Sequence, residues 1–241
     1  MAVKVTESNK NMKRNDLVHL SSVLLIYGLS ISCSWAQDEG KHNENEANQY
    51  MHRNSIESLV NAFDSPDRAK WQQPDKVIEL FGEVNGQKIM DLGAGSGYFT
   101  LRLAAKGAKV IAADVNDSFQ EVIQEKLEND DLQELSANIE LRKVAYNDPG
   151  LEIQEVDGIL VVNTWHHIDD RHSYMKKAIK GVKDGGKIVI VDFKLGVPGG
   201  PPDSHRLGLA DAMKEIDNLN FTEIQVDTIM LERQYIIIGV K

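Results

Sequence analysis

Cysteine is nearly absent from this chain: Cys33 is the only one in 241 residues. One thiol cannot close an internal disulfide, so stability has to come from an apolar core. Basic charge is scarce as well. Against 37 Asp and Glu stand 27 Lys and Arg, a formal net charge of −10, which repels phosphate backbones and argues against nucleic acid as a partner. The apolar run from Leu17 to Ile31 falls short of the about 20 residues that cross a bilayer comfortably, and His19, Ser21 and Ser22 dilute it. No internal repeat is evident. What remains is ordinary for a folded protein, with 41% hydrophobic and 27% charged residues, at a length that one hydrophobic core can serve.

The N-terminus reads as an export leader over residues 1–36. Lys4, Lys10, Lys13 and Arg14 precede the apolar run, and Ser34-Trp35-Ala36 offers small residues where a signal peptidase cuts, so cleavage is expected after Ala36. Met12-Lys13-Arg14 would make a more typical short basic start. Two alternatives stay open: lipidation of Cys33, although Ser30 stands where a lipobox prefers leucine, and an uncleaved N-terminal anchor helix. Both would tether the chain to a membrane. With Asp38, Glu39, Glu44 and Glu46 beyond the run, the domain is expected to face outward, in the periplasm or on the outer face of a membrane. Cleavage would remove the only thiol and leave the mature chain more acidic.

Residues 37–52 are polar and without period, which predicts a solvated, disordered linker ahead of one domain over 53–241. Ile56, Leu59, Val60 and Phe63 sit at helical spacing, and a second helix is expected after Pro74. From Lys88 onward short apolar runs alternate with helix-period segments. The expected strands are Lys88 to Leu92, Lys109 to Ala113, Ile139 to Val144, Gly158 to Val162 and Lys187 to Phe193, with helices starting near Gly97, Asp117 and Arg171. That alternation predicts βαβ units and an α/β, doubly wound, mostly parallel sheet. Phe221 to Ile229 and Gln234 to Val240 break it, and should pair as a C-terminal antiparallel hairpin.

The strongest chemical signal is Asp91-Leu92-Gly93-Ala94-Gly95-Ser96-Gly97-Tyr98, where a strand gives way to a helix. Glycines there let the backbone bend sharply and approach a ligand with no Cβ between them. The dinucleotide fingerprint G-x-G-x-x-G would want glycine where Tyr98 stands, which disfavours a nicotinamide oxidoreductase. Asp114, with Val115 beside it, ends the next strand, where a carboxylate can accept hydrogen bonds from both hydroxyls of a ribose.

The glycine motif resembles that of class I, Rossmann-like S-adenosylmethionine-dependent methyltransferases, and Asp114 matches their acidic ribose-binding position. Lys183-Asp184-Gly185-Gly186-Lys187 is similar to the turn these enzymes place before their fifth strand, with Asp184 in place of proline. Trp71-Gln-Gln-Pro74, Asn163-Thr-Trp-His-His167, Gly200-Pro-Pro202 with His205-Arg206, and Gln234-Tyr235 extend the likeness toward exported bacterial methyltransferase-domain proteins. The resemblance implies a seven-stranded sheet with its last strand inserted antiparallel, and S-adenosyl-L-methionine as cofactor. It further implies that Gly93, Ala94, Gly95 and Gly97 line the methionine part, that Asp91 faces the ammonium directly or through water, and that Asp114 holds the ribose. Ala145 and Tyr146 would flank the adenine, and Asn163 would close the pocket floor.

Several residues carry two readings. Tyr98 either lays its ring near the sulfonium or packs at the helix start. His166 and His167, with Asp169 and Asp170 close behind, either deprotonate an acceptor or satisfy the sheet and a loop; their spacing matches no established metal-ligand pattern. Trp165 reads as a pocket wall. The loop Gly196–Pro202 is either a wall of the acceptor site or a plain connection, and His205 and Arg206 either meet an anionic acceptor or serve the following helix. The function expected is methyl transfer to an unidentified small-molecule acceptor. The alternative is a non-catalytic module that binds the cofactor or a nucleoside on the same fold.

Overall fold

Buried parallel strands need apolar side chains on both faces, and the runs expected as strands supply them. In the computed structural model, which describes residues 46–241, the parallel strands are β1 (Lys88–Leu92), β2 (Lys109–Asp114), β3 (Ile139–Lys143), β4 (Val156–Val162) and β5 (Val182–Phe193). β6 (Glu223–Asp227) and β7 (Gln234–Val240) form the C-terminal hairpin, with β7 inserted antiparallel beside β5. The order across the seven-stranded sheet is β3-β2-β1-β4-β5-β7-β6. The leader, Cys33, the cleavage position and the first part of the expected linker lie outside the described residues. Among the described residues, no helix is long and apolar enough to cross a membrane.

Strand side chains alternate between the faces, so two layers of core form. Met90, Ile159 and Val161 pack on one face with Met175 and Ile179 of a helix over Arg171–Gly181, while Ile89, Leu160 and Val162 pack on the other with Phe99 and Leu103. In chain order the helices are α1 (Glu46–Arg53), α2 (Ile56–Phe63), α3 (Arg68–Gln72), α4 (Pro74–Glu79), α5 (Tyr98–Ala105), α6 (Asp117–Leu127), α7 (Arg171–Gly181) and α8 (Leu209–Ile216). Side chains mark several starts: Ser55 accepts from the Ser58 N–H, Asn116 from Ser118 and Asp170 from Ser173.

Residues 46–52 differ from the disordered linker expected there: they are helical, with Ala47 and Asn48 buried. The Asn48 side chain donates to the His167 carbonyl at 3.1 Å, a tertiary anchor that composition does not reveal. β6 is shorter than expected because Asp227 accepts from the Ile229 and Met230 N–H groups, both at 2.7 Å, and turns the chain.

The register fixes where a ligand can sit. Leu92 pairs with Ala113 on one side and Val161 on the other, so β1, β2 and β4 end level. Strand order reverses between β1 and β4. In open α/β sheets ligands bind outside the carboxyl ends of the strands at such a reversal.

Candidate functional site

The bend after β1 is tied to the end of β2 by backbone. The Gly93 and Ala94 N–H groups both donate to the Ala113 carbonyl, at 2.8 and 3.0 Å. Gly93 has φ of 76°, and a Cβ on it would lie 2.2 Å from Thr164 Oγ1, so this turn closes against the β4 end only without a side chain. One residue pair completes the link. The Gly95 N–H donates to Asp114 Oδ2 at 3.0 Å, and the Asn116 N–H to Oδ1 at 2.9 Å. Burial pushes the Asp114 carboxyl up, opposed by these backbone donors.

The bend opens into a cavity of about 740 Å³, in the range of small-molecule sites. Gly93, Ala94, Gly95 and Asp114 line it, as do Val115 and Tyr146 along the β2–β3 side and Asn163, His166 and His167 beyond β4. Asp91, Gly97 and Tyr98 are not on its wall. Asp91 is buried behind the bend, accepting the Thr100 hydroxyl at 2.7 Å, and burial raises its carboxyl to about 6. Gly97 begins α5 with φ of 81°, and a Cβ there would meet Ile123 at 2.9 Å, so its role is helix packing.

Tyr98 takes the packing alternative. Its ring lies between the guanidinium groups of Arg68 and Arg102, 4.1 and 3.7 Å from its centroid, and edge-on to Phe99. Trp165 is not a pocket wall; it is wholly buried in the core. The Gly196–Pro202 loop does reach the cavity, through Gly200, Pro201 and Pro202, with His205 next to them. Arg206, by contrast, turns inward to donate to the carbonyls of Pro201, Lys194 and Val197. It pins the loop rather than meeting an acceptor.

A buried relay fixes what Asn163 can offer. Arg68 has only donors, and its Nε–H donates to Gln72 Oε1. Gln72 Nε2 must then donate onward, to Gln234 Oε1 at 3.0 Å, and Gln234 Nε2 donates to Asn163 Oδ1 at 2.5 Å. The relay orients the Asn163 amide by its carbonyl oxygen, and the residue lines the cavity with two N–H donors on its other end. Arg68 lines the cavity too; burial pulls its guanidinium down to about 10, leaving it charged at neutral pH.

The two histidine rings lie 4.2 Å apart between centroids, tilted by 37°, and have different partners. His166 Nδ1 lies 2.9 Å from both oxygens of Asp192. His167 Nδ1 lies 2.9 Å from Asn48 Oδ1, and burial lowers its imidazole to about 3. Among the described residues, no three His, Cys, Asp or Glu are grouped to hold a metal ion. Arg68, Asp192 and Asn48 were not singled out in the sequence. For Asp192 a signal existed: an acidic residue within the apolar run that closes β5, Ile188 to Phe193.

Residues 90–190 match the methyltransferase domain family. Demethylmenaquinone methyltransferase of Clavibacter sepedonicus is 29% identical over 110 residues, covering 46% of this chain and 42% of that protein. A ubiquinone/menaquinone biosynthesis C-methyltransferase of Cronobacter sakazakii is 28% identical over 124 residues, covering 48% and 47%. The chain thus spans less than half the length of these curated relatives. In structure it is similar to a SAM-dependent methyltransferase from Aquifex aeolicus, with a TM-score of 0.67 at 21% identity over 77% of this chain and 98% of that one. A phosphoethanolamine N-methyltransferase from Haemonchus contortus, solved with S-adenosyl-L-methionine, gives a TM-score of 0.66 at 14% identity over 83% and 60%. These likenesses establish the class I methyltransferase fold.

Proposed function

On the premise that the chain carries a class I, S-adenosylmethionine-dependent methyltransferase domain, we propose that the protein transfers a methyl group from this cofactor to a small-molecule acceptor. The observation that carries the proposal is the Asp114 carboxylate tethered 3.0 Å from the Gly95 N–H on the wall of a cavity large enough for cofactor and acceptor together. The residues fit the cofactor. An ionised carboxylate has lone pairs beyond those used by Gly95 and Asn116 with which to accept two ribose hydroxyls. Gly93 and Gly95 supply backbone where side chains would intrude, and Asn163 supplies N–H donors.

When bound, S-adenosylmethionine supplies an electrophilic methyl group on a sulfonium. The chain's own task is alignment and exclusion of water. Trp71 and Phe193, with ring centroids 5.8 Å apart, both face the cavity and keep that part apolar. Asp91 lies behind the bend, accepting from Thr100, so it would act on the cofactor's ammonium through its charge and not by contact, and Arg68, on the cavity wall, would supply a positive charge to an anionic group of the guest.

Titration of the purified domain with S-adenosylmethionine, S-adenosylhomocysteine and NADH tests the cofactor. Saturable binding of the first two and none of NADH is expected; NADH binding alone would overturn the proposal. Cofactor binding with no methyl transfer would point to the binding module instead. Outward placement is a further proposal, resting on the basic, apolar and small-residue pattern of residues 1–36. N-terminal sequencing of the native protein checks it, with Gln37 expected as the first residue.

A further inference from the structure

Asp192 is wholly buried, the penultimate residue of an otherwise apolar end of β5. A carboxylate there is costly unless its oxygens are satisfied. They are: the backbone N–H groups of His166 and Phe193 donate to it at 3.0 and 2.8 Å, and His166 Nδ1 lies 2.9 Å from both oxygens. Sheet register brings the pair together, since Val162 pairs with Val191 and His166 follows in the turn after β4. An ionised carboxylate only accepts, so the proton sits on Nδ1, and Nε2 is the basic nitrogen of the ring. His166 lines the cavity, whereas Asp192 does not.

We propose that His166 is the general base of this site, that Asp192 is its positioning residue, and that the acceptor is therefore a protic group: a hydroxyl, a thiol or an acidic C–H. The proposal rests on the methyltransferase function above and deepens it. Writing the acceptor as X–H, its proton passes to His166 Nε2, an electron pair on X forms the bond to the methyl carbon, and the methyl–sulfur pair stays on sulfur, which becomes a neutral thioether. The imidazolium left on His166 faces the Asp192 carboxylate, so the new charge is paired where it forms. An acceptor with no proton to lose, such as a tertiary amine or a thioether, gives this pair nothing to do. His167 is a poor candidate for the same role, because burial holds its imidazole down to about 3.

The test uses wild type, Asp192→Asn and His166→Gln, each first titrated with S-adenosylhomocysteine. Affinity within about threefold across the three is expected, which separates this proposal from the cofactor assignment; loss of binding in wild type would fell the cofactor assignment instead. Nitrogen NMR of wild type should show the His166 ring with its proton on Nδ1, and Asp192→Asn should shift protons toward Nε2. Methyl-labelled S-adenosylmethionine is then incubated with a protein-free small-molecule extract of the source cells. Label transfer should fall about 100-fold or more in His166→Gln, within the usual span for a general base, and about 10-fold or more in Asp192→Asn. A wild-type ring protonated on Nε2, undiminished transfer by either variant, or a product that is a quaternary ammonium or a sulfonium would overturn the proposal.

Discussion

At the β1–β2 bend a guest meets glycine backbone and one carboxylate, whereas on the β4–β5 side it meets imidazole and amide side chains held by other elements. The first side is local: Gly95 and Asp114 are 19 residues apart and joined by a single hydrogen bond. The second is assembled from afar, with Asn48 bonded to His167 across 119 residues and Gln72 to Gln234 across 162. A backbone-built cradle suits a constant ligand. A side-chain-built wall can be altered without disturbing the sheet, and the proposed function would put acceptor choice there.

That contrast can be broken first at Gly93. An alanine there keeps the positive φ of 76° and forces a Cβ against Thr164, so Gly93→Ala should cost about 3 kcal/mol in chemical unfolding. Adding Thr164→Gly should recover part of it. An unchanged midpoint would mean that the bend is not closed by the β4 end.

Next in size is Asp91. Burial raises its carboxyl to about 6, so the fold favours the protonated form, and the penalty is absent below the ordinary carboxylate value and complete above 6. Asp91→Asn removes that penalty. Its melting temperature relative to wild type should climb by several degrees from pH 4 to pH 7; a flat difference would show that the charge is well solvated.

The far side offers a smaller effect of opposite sign. His167 is lowered to about 3, so the fold favours the neutral ring, and stability present above its ordinary value is lost as pH falls from about 6.5 toward 3. Wild type should lose more thermal stability than His167→Gln between pH 7 and 5, by less than the full shift because the ring keeps some solvent contact. Equal losses would mean that Asn48 does not hold a neutral imidazole. Smallest of all is Tyr98→Phe. The hydroxyl has no hydrogen-bond partner among the described residues, so unfolding free energy should change by under about 1 kcal/mol and cofactor affinity not at all. A large loss of affinity would return Tyr98 to the site.

The same division explains what could be read from the sequence. The strands, the hairpin, the glycine bend and Asp114 are written in short windows, because period and turn chemistry are local properties. Neither α1 nor the relay from Arg68 to Asn163 has such a signature. Asn48 lies in a polar stretch that looks solvated until His167 is beside it, and Asp192 gains its meaning from a histidine on the neighbouring strand end. Tyr98 shows the limit within the motif itself: its position in the sequence allowed a ligand contact, and two arginines settled its packing.

In the proposed function a carboxylate at the β2 end and the bend after β1 together grip the adenosine end of one ligand. Calorimetric titration of S-adenosylhomocysteine into wild type and Asp114→Ala measures it directly. One-site binding weakened roughly 10- to 100-fold in the variant is predicted, the size of lost hydrogen bonds to a charged group. Equal affinity in the two proteins would contradict it.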